Sequence, residues 1–360
     1  MTWKQFAGVA AFAGVLTLGG TAAHAQWSVT NLHPAGATYS YASAASGGRQ
    51  AGYLEDLGGV NRASLWSGTA ASLVDLHPAG STFSFAYAIS GGQQAGYAYV
   101  GGVFRASLWS GTAASWVDLN PDPTGFSIAY AISGGQQAGI VAVGGAVRAS
   151  LWSGTAASWV DLHPAGSTYS EVRAITGAQQ AGYAVVGGVS RASLWSGTAA
   201  SWIDLNPAGS TYSQANGISG VQQAGFAEMG GMRRASLWRG TAESWVDLKP
   251  TGSTESSAYA MSGGQQVGYT IVQGIGRASL WSGTADSWVD LHAYLPAGFS
   301  SSVASGISSD GVNTYVAGWG YNPVTNRNEA LLWTQAVPTP GAVGLLGLGG
   351  VVAARRRRWK

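Results

Sequence analysis

The stretch AYAISGGQQAGYAYVGGVFRASLWSGTAASWVDL, residues 86–119, decides the fold. It contains four short runs rich in Trp, Tyr, Val, Ile and Ser: Ala86 to Ser90, Gln94 to Tyr97, Arg105 to Trp109 and Ser115 to Leu119. Short aromatic and β-branched runs bounded by glycine read as strands. Gly91-Gly92 and Gly101-Gly102 are placed as hairpin turns, because glycine reaches the positive φ such turns demand. Outward from this stretch the pattern repeats. The string Arg-Ala-Ser-Leu-Trp ends at Trp66, Trp109, Trp152, Trp195, Trp238 and Trp281, each 43 residues after the last, and a degenerate copy ending at Trp333 follows after 52. Four strands in about 40 to 45 residues is the signature of a propeller blade. The prediction is an all-β, seven-bladed propeller of four-stranded blades over residues 26–335, with no room for a second domain. Solenoids of helix pairs are excluded by the glycine density and the absence of a 3.6-residue period.

Strand order follows from side-chain size and closure. Ala86 to Ser90 and its copies carry the smallest side chains, which suits a crowded strand nearest the axis. Chain order then makes the Gln-Ala-Gly-Tyr strand second, Arg-Ala-Ser-Leu-Trp third and Ser-Trp-Val-Asp-Leu outermost. The first strand after residue 25, Trp27 to Leu32, is of the outermost type and the last, at Trp333, is of the third type. The N-terminal strand is therefore expected to complete the seventh blade and leave no open edge.

Composition narrows function. The 360 residues include 55 Gly and 16 Trp with only 9% charged residues, unlike an average helical enzyme domain. At 46% apolar residues the chain is not disordered. Lys4, Arg355, Arg356, Arg357, Arg358 and Lys360 lie outside all 16 acids; the 12 basic residues left between them give a net −4. A mildly acidic body offers no case for nucleic-acid binding. Zero cysteines exclude disulfides, thiolate metal sites and cysteine nucleophiles.

Both ends read as addresses. Residues 1–25 carry Lys4, an apolar run from Phe6 to Leu18 and the small-residue ending Ala23-His24-Ala25, the form of a secretory signal cleaved before Gln26. Residues 336–360 hold Pro338-Thr339-Pro340, the apolar stretch Gly341 to Ala354 and the arginines Arg355, Arg356, Arg357 and Arg358. The apolar stretch is marginal for spanning about 30 Å of hydrocarbon, and the arginines are expected to stay on the cytoplasmic side. This tail resembles the PEP-CTERM sorting segment of bacterial exported proteins, departing from it where the family's glutamate between the prolines is Thr339. The resemblance implies transient anchoring in the inner membrane as a transmembrane helix, handling by signal peptidase and an exosortase-like sorting protease, and delivery to the cell surface or extracellular matrix. The repeat itself resembles the HAF family of bacterial extracellular repeats, with Arg-Ala-Ser in place of His-Ala-Phe and Asp-Leu-His-Pro or Asp-Leu-Asn-Pro in place of Asp-Leu-Gly. That family implies export and repetition, and brings no catalytic residues.

Several residue types recur in step. Arg62, Arg105, Arg148, Arg191, Arg234 and Arg277 each precede an aspartate by 13 residues: Asp75, Asp118, Asp161, Asp204, Asp247 and Asp290. In the seventh blade Glu329 replaces the arginine and Asn31 the aspartate, so both change together. A structural pair inside each blade is expected, worth about 3 to 5 kcal/mol on breaking if buried. Alternation puts Arg105, Ser107 and Trp109 on one face with Trp116 and Asp118, and suggests cross-strand tryptophan pairs in the core. The paired glutamines Gln93-Gln94, Gln136-Gln137 and Gln179-Gln180 are expected to hydrogen-bond between blades. The residue after Asp-Leu is His33, His77, Asn120, His163, Asn206, Lys249 and His292 in turn. One per blade, these cannot converge on a metal ion; they are expected to top loops around one channel mouth, where a binding site is placed.

No nucleophile elbow, zinc helix, P-loop or calcium loop is present. The expected function is a monomeric, cofactor-free and non-enzymatic surface or matrix binding module, for exopolysaccharide or surface proteins. Its rivals are a purely structural envelope protein and a polysaccharide hydrolase or lyase built on the irregular last blade, at His292 to Pro296 and Asp310 to Trp319.

Overall fold

A computed structural model describes residues 26–337. They form seven four-stranded antiparallel sheets. A representative blade runs Phe83–Ser90, Gln93–Val100, Val103–Trp109 and Val117–Asp118, inner strand to rim. Each inner strand packs on those of the two adjacent blades, and Ala37–Ser46 meets Ser301–Ser309, so the ring is closed. The last sheet joins Ser28–Asn31 to Arg327–Ala336, with Val29 opposite Trp333 and Asn31 opposite Leu331. Both the blade count and the stitched final blade agree with the sequence. The signal, the Pro338-Thr339-Pro340 motif and Arg355 to Arg358 lie outside the described residues, within which no helix is long and apolar enough to cross a membrane.

Blade contacts follow from strand alternation. Ala106 and Leu108 face the next blade, where they meet Ala129, Ile132, Val141 and Trp152. Trp109 faces the preceding blade and packs with Leu65, Leu76 and Ile89. The seven third-strand tryptophans are fully buried, and burial of such side chains is the dominant favourable term in folding. Six of the seven outer strands are only two residues long, which blunts the exposed edges of their blades, while the stitched blade ends on the four-residue Ser28–Asn31.

Polar groups stitch the blades where the ladder cannot. The N–H of Ala106 donates to Ser127 Oγ of the next blade, 2.9 Å away. The same bond recurs at all seven interfaces, including Ala330 to Ser40 across the closure, and all seven serines are fully buried. The glutamines act differently from the expectation. Gln94 donates to Gly92 O and accepts from Gly111 N, both in its own blade, so it ties the two turns at that blade's lower end together. In the seventh blade the chain has no turn after Trp333 to supply that N–H, and Val316 occupies the glutamine's place opposite Ile307.

Candidate functional site

The expected Arg-Asp pairs are all present, from 2.6 Å at Arg105–Asp118 to 3.0 Å at Arg62–Asp75. Their side chains are 19 to 49% exposed, so the pairs are not buried charges and the larger energy does not apply. The second carboxylate oxygen accepts the N–H two residues on, as from Asp118 to Asn120, and thereby fixes the turn towards the next blade. In the stitched blade Asn31 donates to Glu329 and still accepts from His33 N, so the exchange preserves the bond with its polarity reversed.

The residues after Asp-Leu are absorbed by these turns. The Nδ1 atoms of His33, His77, His163 and His292 lie 2.7 to 2.9 Å from Ser40, Ser84, Ser170 and Ser302, the serines that join the blades. Asn206 takes the same role by accepting from Ser213, while Asn120 bonds the carbonyls of Asp122 and Gly125. Burial holds His33, His77 and His292 below the ordinary imidazole range. Lys249 donates its backbone N–H to Asp247. These seven positions are distributed one to a blade, and none of them is among the residues that line the central cavity. The expected tryptophan pairs also differ: Trp116 packs against the cluster holding Trp109, but its indole N–H donates to Ser107 Oγ.

A different ring faces the axis. Every inner strand carries a bulge, as between Ala86 and Ala88, where one extra residue is left without a partner. The bulge is made possible by the glycine of Gln-Ala-Gly-Tyr: a Cβ on Gly96 would sit 1.9 Å from Phe85 O, and one on Gly139 would sit 2.0 Å from Ile128 O. The extra residues are Ser43, Tyr87, Tyr130, Arg173, Asn216, Tyr259 and Ser305, and all seven line one central cavity of about 690 Å³. Bulges re-aim side chains, and here they aim one per blade at the axis.

These side chains are unlike and mutually arranged. Tyr87 and Tyr130 stack at 5.6 Å, and the Arg173 guanidinium lies over the Tyr130 ring at 4.9 Å. Burial raises both phenols, so they remain protonated donors at neutral pH. Arg173 is ion-paired through Nε to Glu171, a buried acid that also accepts from the hydroxyls of Tyr169 and Tyr183. Burial is the largest influence and opposes the charge on Arg173, but Glu171 together with Tyr130 and Tyr183 more than offsets it. Arg233, also on the cavity wall, stacks on Phe226 at 4.3 Å and lies 3.6 Å from Glu255. Neither Glu171 nor Glu255 lines the cavity. Among the described residues no three His, Asp or Glu side chains gather as metal ligands would. The sequence signal for this ring was the one position in Ala-Tyr-Ala-Ile-Ser that changes its chemistry between blades, hidden in a segment read as small-residue packing.

The two irregular segments of the last blade do not share a cleft. The 3₁₀ turn Leu291–Tyr294 precedes the inner strand Ser301–Ser309 and the turn at Asp310 follows it, so they stand at its opposite ends. Asp310 caps the N–H groups of Val312 and Asn313 and accepts from Tyr315, which holds its exposed carboxyl below the usual range.

Ring closure, four-stranded blades and an axial cavity define a seven-bladed β-propeller. No family model and no curated protein matches the chain. Its fold is similar to that of puromycin hydrolase, at TM-score 0.57 and 11% identity, over 81% of this chain and 53% of that one. It is also similar to the β-propeller domain of the Trilobed protease from Pyrococcus furiosus, at TM-score 0.53 and 10% identity, over 84% of this chain and 97% of that one. For the Pyrococcus horikoshii acylaminoacyl peptidase the values are 0.53 and 10%, over 92% of this chain and 56% of that one. The chain thus spans about half the length of puromycin hydrolase. At such identity the likeness is one of fold.

Proposed function

We propose that this protein is an exported, non-enzymatic binding module of the cell surface or extracellular matrix, and that its ligand site is the central channel. One observation carries the reading: seven blades that repeat almost everything else send four different residue types, Ser, Tyr, Arg and Asn, into one cavity from the same position. Convergent unlike side chains in a concave site are what recognition requires, and departures from a repeat are where solenoid-like and propeller proteins place function. The signal-like residues 1–25 and the sorting-like tail, with Pro338-Thr339-Pro340 and Arg355 to Arg358, supply the route of export through signal peptidase and a sorting protease. A polysaccharide of the matrix is the partner class favoured over a protein, since the lining is rich in hydroxyl, phenol and amide groups.

The test is a glycan array with the secreted protein, read for both retention and release of shortened products. Retention without release is expected. Product release would select the second reading, a polysaccharide hydrolase or lyase. Neither retention nor release, with high abundance in the envelope, would point to a structural coat protein.

A further inference from the structure

The charges around the channel are layered. Both cavity-lining residues that ionise at neutral pH are arginines, Arg173 and Arg233, while the acids that balance them, Glu171 and Glu255, are set behind the wall. Glu171 spends its oxygens on Arg173 Nε, Tyr169 and Tyr183, and Glu255 accepts from Tyr269. Each arginine is therefore balanced by an acid set behind the wall, Arg173 through Nε and Arg233 at 3.6 Å, while only the arginines line the cavity. A guanidinium fork held in this way matches a carboxylate, to which it can donate two parallel bonds. Tyr87 and Tyr130, stacked on each other with Arg173 over the Tyr130 ring, also line the cavity and bring phenol hydroxyls to it. The cavity follows the inner strand of the fifth blade from Tyr212 to Ile218, six steps of about 3.3 Å, a length suited to an oligomer rather than a single small anion.

We infer that the channel binds the carboxylate-bearing sugar units of an acidic polysaccharide, with Arg173 receiving one carboxylate, Arg233 a second one along the chain, and the phenols of Tyr130 and Tyr87 hydrogen-bonding sugar hydroxyls beside Arg173. This rests on the binding reading above and specifies its ligand. A neutral glycan would leave the guanidinium N–H donors not engaged by Glu171 and Glu255 without an anionic acceptor in a partly desolvated site, which is the stronger source of discrimination. The remote field of the acidic body opposes a polyanion, so the attraction is local and weakens with salt only as far as the channel admits ions.

The experiment compares three probes on the full chain by calorimetry: an oligogalacturonate, the same oligomer with its carboxyls reduced to alcohols, and a peptide with a free C-terminal carboxylate. The oligogalacturonate is expected to bind at least about tenfold more tightly than the reduced form, the scale of one charge-assisted contact. The double variant E171Q/R173Q removes the anion hook without stranding Glu171, and should abolish that difference while the melting temperature stays near the parent's. R233Q, whose partner is half-exposed, serves as a second variant and should lower acidic-glycan affinity by a smaller factor. Equal affinity for the acidic and reduced oligomers overturns the carboxylate inference and leaves the binding module standing. Preference for the peptide overturns it in favour of a protein terminus. Failure of all three probes to bind removes this inference, whereas the binding reading itself falls only if the whole glycan array is also blank.

Discussion

The rim of this propeller and its axis are built on the same seven-fold backbone but tolerate change by opposite rules. At the rim, substitutions come in compensating sets. Where Glu329 stands for arginine, Asn31 stands for aspartate and the hydrogen bond survives; where no turn N–H follows Trp333, the glutamine that would bind it is Val316. At the axis, the bulge residue changes from Ser43 to Tyr87 while the Gln-Ala-Gly-Tyr strand beside it is kept; Arg173 is the exception, since it comes together with its buried partner Glu171. Paired change marks groups that need each other, and single change marks groups that face something outside the fold. The difference teaches that in a copied chain the informative residue is one that varies where its structural neighbours do not.

The largest effect is expected from removing what makes the axis different. Gly139→Val puts a side chain where Ile128 O already lies, so the bulge must flatten or the strand must separate. Denaturant titration should show a loss of about 3 kcal/mol or more, and an unchanged midpoint would mean that the bulge does not depend on glycine. By contrast Tyr259→Ser, which installs the residue found at Ser43 and Ser305, should cost about 1 kcal/mol while altering ligand preference.

The interface histidines give an intermediate, pH-dependent effect. Burial depresses the folded-state pKa of His33, His77 and His292, so below the unfolded value near 6.5 the unfolded chain binds more protons. Stability is fully present above that value and is lost as pH falls towards the depressed folded one. His77→Asn copies the arrangement that Asn206 already makes with Ser213 and should flatten this slope without lowering stability at pH 8. A slope unaltered by the exchange, measured as melting temperature between pH 8 and 5, would assign the effect to other groups.

The smallest effects belong to the rim pairs. Arg105→Ala should cost about 0.2 to 1 kcal/mol, because the pair is a quarter to a third exposed. Asp118→Ala should cost about 1 kcal/mol more, since the Asn120 N–H also loses its acceptor. Equal losses for the two variants would show that the turn bond contributes nothing.

Much of this architecture could be read directly from the chain. The 43-residue period, the glycine turns and the split of the outermost strand between the two ends determine blade number and closure, and the matched Arg and Asp positions identify their partners. The candidate site was less accessible for a physical reason. Reading strands by alternation assigns Tyr87 to a face, whereas the bulge adds a residue that belongs to neither face of the ladder. The histidines misled in the opposite sense: they look like ligand-binding groups, but each bonds a buried serine seven residues on, or ten where the 3₁₀ turn lengthens the loop at His292.

The central claim is that recognition resides at the axis. Its most direct test is a crystal structure of the protein grown with an oligogalacturonate. The account predicts sugar density in the channel, with a carboxylate on Arg173 and a second one on Arg233. Sugar bound instead on the crossing loops over His77 and Lys249, with the channel lining untouched, would contradict it.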